Sequence, residues 1–232
     1  MNTQEFCAVT LLAFSLPGCG RTGTPQRSPV PRVVEEGNTF ALKGEWERAI
    51  AAYNKAIEND PKCALAYSNR GAAYCGMGSY DRAIADCTEA VRLGRRDAFR
   101  KRGLCYYMKR EFDKAISDFD EAIRFDQKDV IAYTYRGMVY AAMGAFDKTI
   151  SDCDKAIRFN RAFGLAYNNR GSAWFKKGDL AKAISDYTKA IALEPNAANT
   201  YRNRGAAYQM FGDKSNADRD FAKAGTLEGT KR

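Results

Sequence analysis

The chain has 232 residues, 45% apolar and 28% charged, the balance of a folded body rather than a disordered or fibrous chain. It contains no histidine, which removes the commonest general base, proton shuttle and imidazole metal ligand, and its seven cysteines include no pair spaced as in a zinc ribbon or a thioredoxin-type site. An excess of 37 Lys+Arg over 28 Asp+Glu gives a charge of +9, which favours acidic partners.

The first element in chain order is an apolar run of eleven, Phe6 to Leu16, followed by Pro17-Gly18-Cys19 and a Gly, Thr, Pro and Ser tract up to residue 29. The run has the length of a secretory h-region and is too short to span a membrane. Its end resembles the bacterial lipoprotein box, with Leu16 three before Cys19 and Gly18 directly before it. That resemblance implies lipidation at Cys19, a flexible tether over residues 20 to 29, and an exported protein anchored in the cell envelope. Pro17 and the absence of Lys or Arg from Met1 to Glu5 depart from the box, and Cys63, Cys75, Cys87, Cys105 and Cys153 would be thiols in an oxidising compartment. A cytoplasmic protein with a disordered tail is the alternative.

Residues 30–229 repeat, with units beginning at Val30, Ala64, Arg96, Val130, Gly164 and Ala198, and residues 230–232 are a short tail. The step is 34 residues except for one of 32, where the connector around Arg96 is shortened. Within each unit, positions 4, 8 and 11 mark one face of a first helix, and positions 17, 20, 24, 27 and 28 one face of a second. Position 11 is aromatic in all six units (Phe40, Tyr74, Tyr106, Tyr140, Trp174, Tyr208), and position 4 in the last five (Tyr67, Phe99, Tyr133, Tyr167, Tyr201).

Position 8 is glycine in every unit, from Gly37 to Gly205. Glycine costs about 1 kcal/mol relative to alanine inside a helix, so its recurrence predicts close approach of the second helix, with the small residues of position 20 (Ala49, Ala83, Ala115, Thr149, Ala183, Ala217) as the contact. The turn between helices carries Gly44, Gly78, Gly144, Gly178 and Gly212; Arg110 in the third unit is expected to adopt the same turn at some strain. Arginine at position 7 (Arg70, Arg102, Arg136, Arg170, Arg204) and aspartate at position 23 (Asp86, Asp118, Asp152, Asp186, Asp220) are lost together in the first unit, where Glu36 and Ala52 stand. The joint loss predicts that the two meet. As exposed pairs they would each add about 0.2–1 kcal/mol and set register more than stability. In the last unit Lys214, Asp218 and Gly225 replace apolar residues, the wettable face of a terminal cap, so no seventh unit is expected.

With these residues in hand, about 200 positions resemble the tetratricopeptide repeat (TPR) family. The resemblance implies an all-α fold, a right-handed α-solenoid (superhelix) of six helix-turn-helix repeats, with the first helices lining a concave surface built from positions 2, 5, 6, 9, 12 and 13. Those positions carry Asn38, Asn69, Arg100, Lys101, Tyr107, Tyr135, Asn168, Asn169, Phe175, Lys176, Arg202 and Asn203. Asparagine bonds both groups of an extended peptide backbone, and aromatic rings accept apolar side chains between them. The expected function is a scaffold that binds a protein or peptide segment of acidic character in this groove; a solvated helix face, which also needs polar residues, is the blander reading.

Co-chaperone members of the family clamp a chaperone tail ending in Glu-Glu-Val-Asp. Asn38, Asn69 and Lys101 match that clamp, but Val34 and Asp97 stand where it has cations, and a carboxylate there adds repulsion. The densest positive charge in the sequence, Arg92, Arg95, Arg96, Arg100, Lys101 and Arg102, lies at the shortened connector. No recognised nucleic-acid module and no interleaved aromatic platform accompanies it, which leaves nucleic acid the weaker partner. The aspartates recur with the repeat and the cysteines largely occupy packing positions, so no catalytic constellation, cofactor, metal site or small-molecule substrate is expected.

Overall fold

A computed structural model describes residues 29–229 of the chain. Among the described residues there are twelve α-helices and no strand: α1 (Pro29–Leu42), α2 (Trp46–Asn59), α3 (Ala64–Gly76), α4 (Tyr80–Arg92), α5 (Ala98–Met108), α6 (Phe112–Phe125), α7 (Val130–Ala142), α8 (Phe146–Phe159), α9 (Gly164–Lys176), α10 (Leu180–Leu193), α11 (Ala198–Phe211) and α12 (Lys214–Gly229). They form two compact units that divide at Ala122/Ile123, inside α6. In the first unit α1, α3 and α5 are successive neighbours, each followed by its second helix; in the second unit α7, α9 and α11 have the same relation.

Local chemistry sets the ends of these helices. The first helix of each pair closes with the same double bond: Gly44 N–H donates to Ala41 O and Glu45 N–H to Phe40 O, and the pattern recurs down to Asp213 N–H on Tyr208 O. The glycine between takes φ of 75° to 92° in five pairs, and Arg110 takes the same turn at φ 62°, a left-handed conformation that strains a residue with a Cβ. Asp129 and Asp179 cap the starts of α7 and α10, Asp129 accepting from the Ile131 and Ala132 amides at 3.1 and 2.9 Å.

The core of each unit is built from small residues. Ala49, Ala56, Ala66 and Ala73 surround Tyr53 in the first unit, and Ala183, Ala207 and Tyr187 cluster in the second. Close approach does occur at position 8, but the contact differs from the expected one. A methyl on Gly37 would lie 2.5 Å from Tyr53 Cε1, on Gly171 3.0 Å from Tyr187 Cδ1, and on Gly205 2.9 Å from Phe221 Cε1. The glycine therefore makes room for the large side chain at position 24; the position 20 alanines lie alongside. Where position 24 is cysteine, its Sγ still lies 2.7 Å from the built methyl of Gly71 and 3.5 Å from that of Gly137, and the backbone also comes close, with the Ala83 and Thr149 carbonyls at 3.1 and 3.5 Å.

An alternation with a period of two repeats overlies the shorter one. Position 14 is Lys43, Lys109 and Lys177 in odd repeats but Met77, Met143 and Phe211 in even ones, and these three apolar side chains are exposed. Lys109 reaches back to Asp81 of the preceding repeat at 2.6 Å, and Lys177 to Asp147 likewise.

Candidate peptide-binding face

The Arg–Asp ladder lies between the two helices of each pair from the second to the sixth. In all five pairs arginine Nε and Nη2 each donate to one carboxylate oxygen, at 2.7 and 2.7 Å for Arg70–Asp86 and 2.8 and 2.7 Å for Arg136–Asp152. The expectation of exposed pairs is corrected: the Asp152 side chain is 4% exposed and the Arg136 side chain 15%. Each arginine also lies beside the position 4 ring, 5.6 Å from Tyr133 for Arg136, and often the position 11 ring as well. A partner unnoticed in the sequence is the cation at position 19. Arg48 stands 4.1 Å from the Phe40 ring centroid and Lys182 4.3 Å from Trp174, with Arg82, Lys114 and Lys148 repeating the contact. In five repeats the position 11 ring thus has one of the protein's own cations against it. The recurrence of Arg or Lys eight residues after the position 11 ring in the first five repeats was the available signal.

On the first-helix face of the first unit, Asn38 Oδ1 accepts from Tyr53 Oη at 2.8 Å and from Asn69 Nδ2 at 2.8 Å. Asn69 Oδ1 in turn accepts from Lys101 Nζ at 3.0 Å, and the same ammonium donates to Ser68 Oγ at 2.8 Å and pairs with Asp97 at 3.6 Å. The network runs unbroken over α1, α3 and α5. Lys101 is only 3% exposed, so it is an internal ligand of the fold and presents no cation at the surface. Burial pulls its ammonium below the ordinary lysine value, with Asp97 opposing. Burial works to raise the Asp97 carboxyl, but Lys101 and Arg95 together hold it below the ordinary range. Burial likewise raises the Tyr53 phenol.

The basic cluster at the connector is similarly absorbed. Arg92 pairs with Glu89, Arg95 with Asp97 and Arg102 with Asp118; Arg100 is half-buried. Three acids, Glu89 on the same helix as Arg92, Asp97 in the connector and Asp118 on α6, thus pair with four of the six cations that read as dense positive charge in the sequence.

In the second unit Tyr135 is buried, at 3% exposure, while Asn168, Asn169 and Asn203 are half-exposed and Lys176 and Arg202 exposed. Asn203 Nδ2 donates to Asn168 Oδ1 at 3.1 Å, and Asn168 Nδ2 approaches Asn169 Oδ1 at 3.5 Å. Arg202 reaches Asn199 Oδ1 at 2.9 Å and Glu228 on α12. Tyr187 Oη donates to Ser172 Oγ at 3.1 Å, and burial pushes its pKa up to about 12. The structure therefore gathers Asn38, Asn69 and Lys101 into one row, and Asn168, Asn169 and Asn203 into another. Cys19 lies outside the described residues, and no helix among them is long and apolar enough to cross a membrane.

Comparison with known proteins agrees with this architecture. A family model described as TPR repeat matches residues 37–78 and 171–212, and one described as tetratricopeptide repeat matches residues 74–130. A stretch of 61 residues is 44% identical to the Hsp70-Hsp90 organizing protein of Triticum aestivum, covering 26% of this chain and 10% of that relative. The chain spans 10% to 21% of the length of such curated relatives. Among solved structures, YrrB, a TPR protein with an unusual peptide-binding site, aligns at 26% identity and a TM-score of 0.54, over 72% of this chain and 88% of that one. The Cut9-Hcn1 hetero-tetramer structure of the APC/C aligns at 16% identity and a TM-score of 0.79 over 97% of this chain and 43% of that chain, a likeness of fold alone. The helix pairs of this chain are tetratricopeptide repeats.

Proposed function

We propose that the protein is an interaction scaffold whose first-helix face binds an extended segment of another protein. The observation that carries this reading is the pair of asparagine rows, in which side-chain amides on neighbouring first helices stand within hydrogen-bonding distance of one another. Such amides match the alternating donors and acceptors of a peptide backbone. Similarity to YrrB, with its peptide-binding site, and to a stretch of the wheat Hsp70-Hsp90 organizing protein supports the same class of partner. The net charge of +9 favours an acidic segment.

A chaperone-tail clamp in the first unit is the weaker reading. Its third-repeat cation, Lys101, is enclosed by Ser68, Asn69 and Asp97, and Val34 is buried where the first cation would stand.

Affinity capture from the native cell tests the proposal. Alanine at Asn168, Asn169 and Asn203 together is expected to release the captured protein while the helical circular dichroism spectrum stays unchanged. A partner retained by a folded triple variant would show that this face is not the binding surface.

A further inference from the structure

The two asparagine rows share a design but differ in their hydrogen bonding. In the first unit every amide oxygen of the row is taken: Asn38 Oδ1 by Tyr53 and Asn69, and Asn69 Oδ1 by the buried Lys101 ammonium. Lys101 occupies position 6 of its repeat; the same position in the last repeat is Asn203, and Asn169 stands where Asn69 does. Asparagine is too short to span what lysine spans. Asn203 reaches Asn168 only, and the acceptor that Asn38 gives Asn69 has no counterpart, since Met138 holds that position in the fourth repeat. The buried Asn169 Nδ2 is left without an acceptor, and no hydrogen bond among the described residues falls on Asn203 Oδ1.

In the second unit α9 thus carries a buried donor without a partner, and α11 an acceptor that no donor among the described residues fills. A buried amide hydrogen without a partner costs about 1–3 kcal/mol, so an external group that supplies the acceptor recovers that energy. An extended peptide backbone supplies both halves, a C=O for Asn169 and an N–H for Asn203. Lys176 adds a charge: it is exposed, has no ion pair among the described residues, and lies two turns along α9 from Asn169, about 10 Å at the helical rise. About three residues of extended chain cover that distance, so a carboxylate side chain near the bonded peptide group reaches the ammonium.

We infer that the α9–α11 row of the second unit is the segment-binding site, taking an extended acidic stretch by its main chain, and that Asn38 and Lys101 act as built-in occupants, one as acceptor and one as donor, that close the equivalent row of the first unit. This rests on the proposed scaffold function and adds which row binds, in what ligand conformation, and why the other does not.

The test uses the full chain, ¹⁵N-labelled, with the peptide acetyl-(Thr-Glu)4-amide as the probe and side-chain amide resonances as the readout. Asn169 and Asn203 are expected to shift in a saturable manner while Asn38 and Asn69 stay fixed. Asn203→Lys, which replaces the acceptor on α11 by a donor, is expected to weaken binding about tenfold, as is Lys176→Glu; the same peptide with methylated backbone nitrogens should bind at least tenfold more weakly. Saturable shifts at Asn38 and Asn69 with Asn169 and Asn203 silent overturn the inference and leave the scaffold reading standing. The inference also falls if the N-methylated peptide binds as well as its parent. No saturable shift at any of the four overturns both.

Discussion

Position 8 of each repeat holds a glycine, yet the space beside it differs from pair to pair. Beside Gly37 the Tyr53 ring leaves no room for a methyl, whereas at Gly137 the built methyl lies 3.5 Å from Cys153 Sγ, an ordinary contact. Gly37→Ala is therefore expected to destabilise the protein by about 1–3 kcal/mol through overpacking. Gly137→Ala should be neutral or stabilise it by up to about 1 kcal/mol, since alanine restricts the unfolded chain and favours helix. Urea midpoints of the two variants decide this; equal losses at both sites would show that the glycines answer to backbone approach rather than to position 24. That glycines are needed here was legible from their period. Which side chain they admit was not, because positions 20 and 24 lie on the same helix face and only packing selects between them.

At the scale of the element, the helix pair is the unit that the Arg–Asp ladder binds together. Both members come from different helices 16 residues apart, and the geometry is doubly hydrogen-bonded and mostly dry. Such a pair answers to the rules for buried ions: removing one partner leaves the other charge uncompensated. Asp152→Asn is expected to lower stability by about 2–3 kcal/mol, well above the cost of an exposed pair. Arg92→Ala, which breaks the exposed pair with Glu89, should leave the urea midpoint close to that of the parent. If Asp152→Asn behaves like Arg92→Ala, the ladder is screened by water and sets register alone. The meeting of position 7 with position 23 could be read from their joint loss in the first repeat. Their burial could not, since it depends on the aromatic side chains that close over the guanidinium from positions 4 and 11.

Across the whole molecule, thiols report how tightly the repeats are closed. Among the described residues Cys75, Cys87, Cys105 and Cys153 are buried and Cys63 is partly exposed, and burial pushes the Cys87 and Cys153 thiols above their ordinary range. Brief alkylation with iodoacetamide and peptide mapping should modify Cys63 in the native protein and reach the other four only beyond the urea midpoint. Native-state modification of Cys87 or Cys153 would mean that single helix pairs open on their own.

Periodicity alone determined the helices, their pairing, the turn glycines and the ionic partners, because those features arise within one repeat, where neighbours in sequence are neighbours in space. Tertiary structure decided the rest. Lys101 reads as a surface cation until α3 brings Ser68 and Asn69 against it from 33 and 32 residues away, and Arg102 of the basic cluster finds its carboxylate on α6. Whether a polar side chain serves the fold or a ligand depends on what the adjacent helix supplies, and that is settled by reach and burial, quantities that a repeat position does not carry.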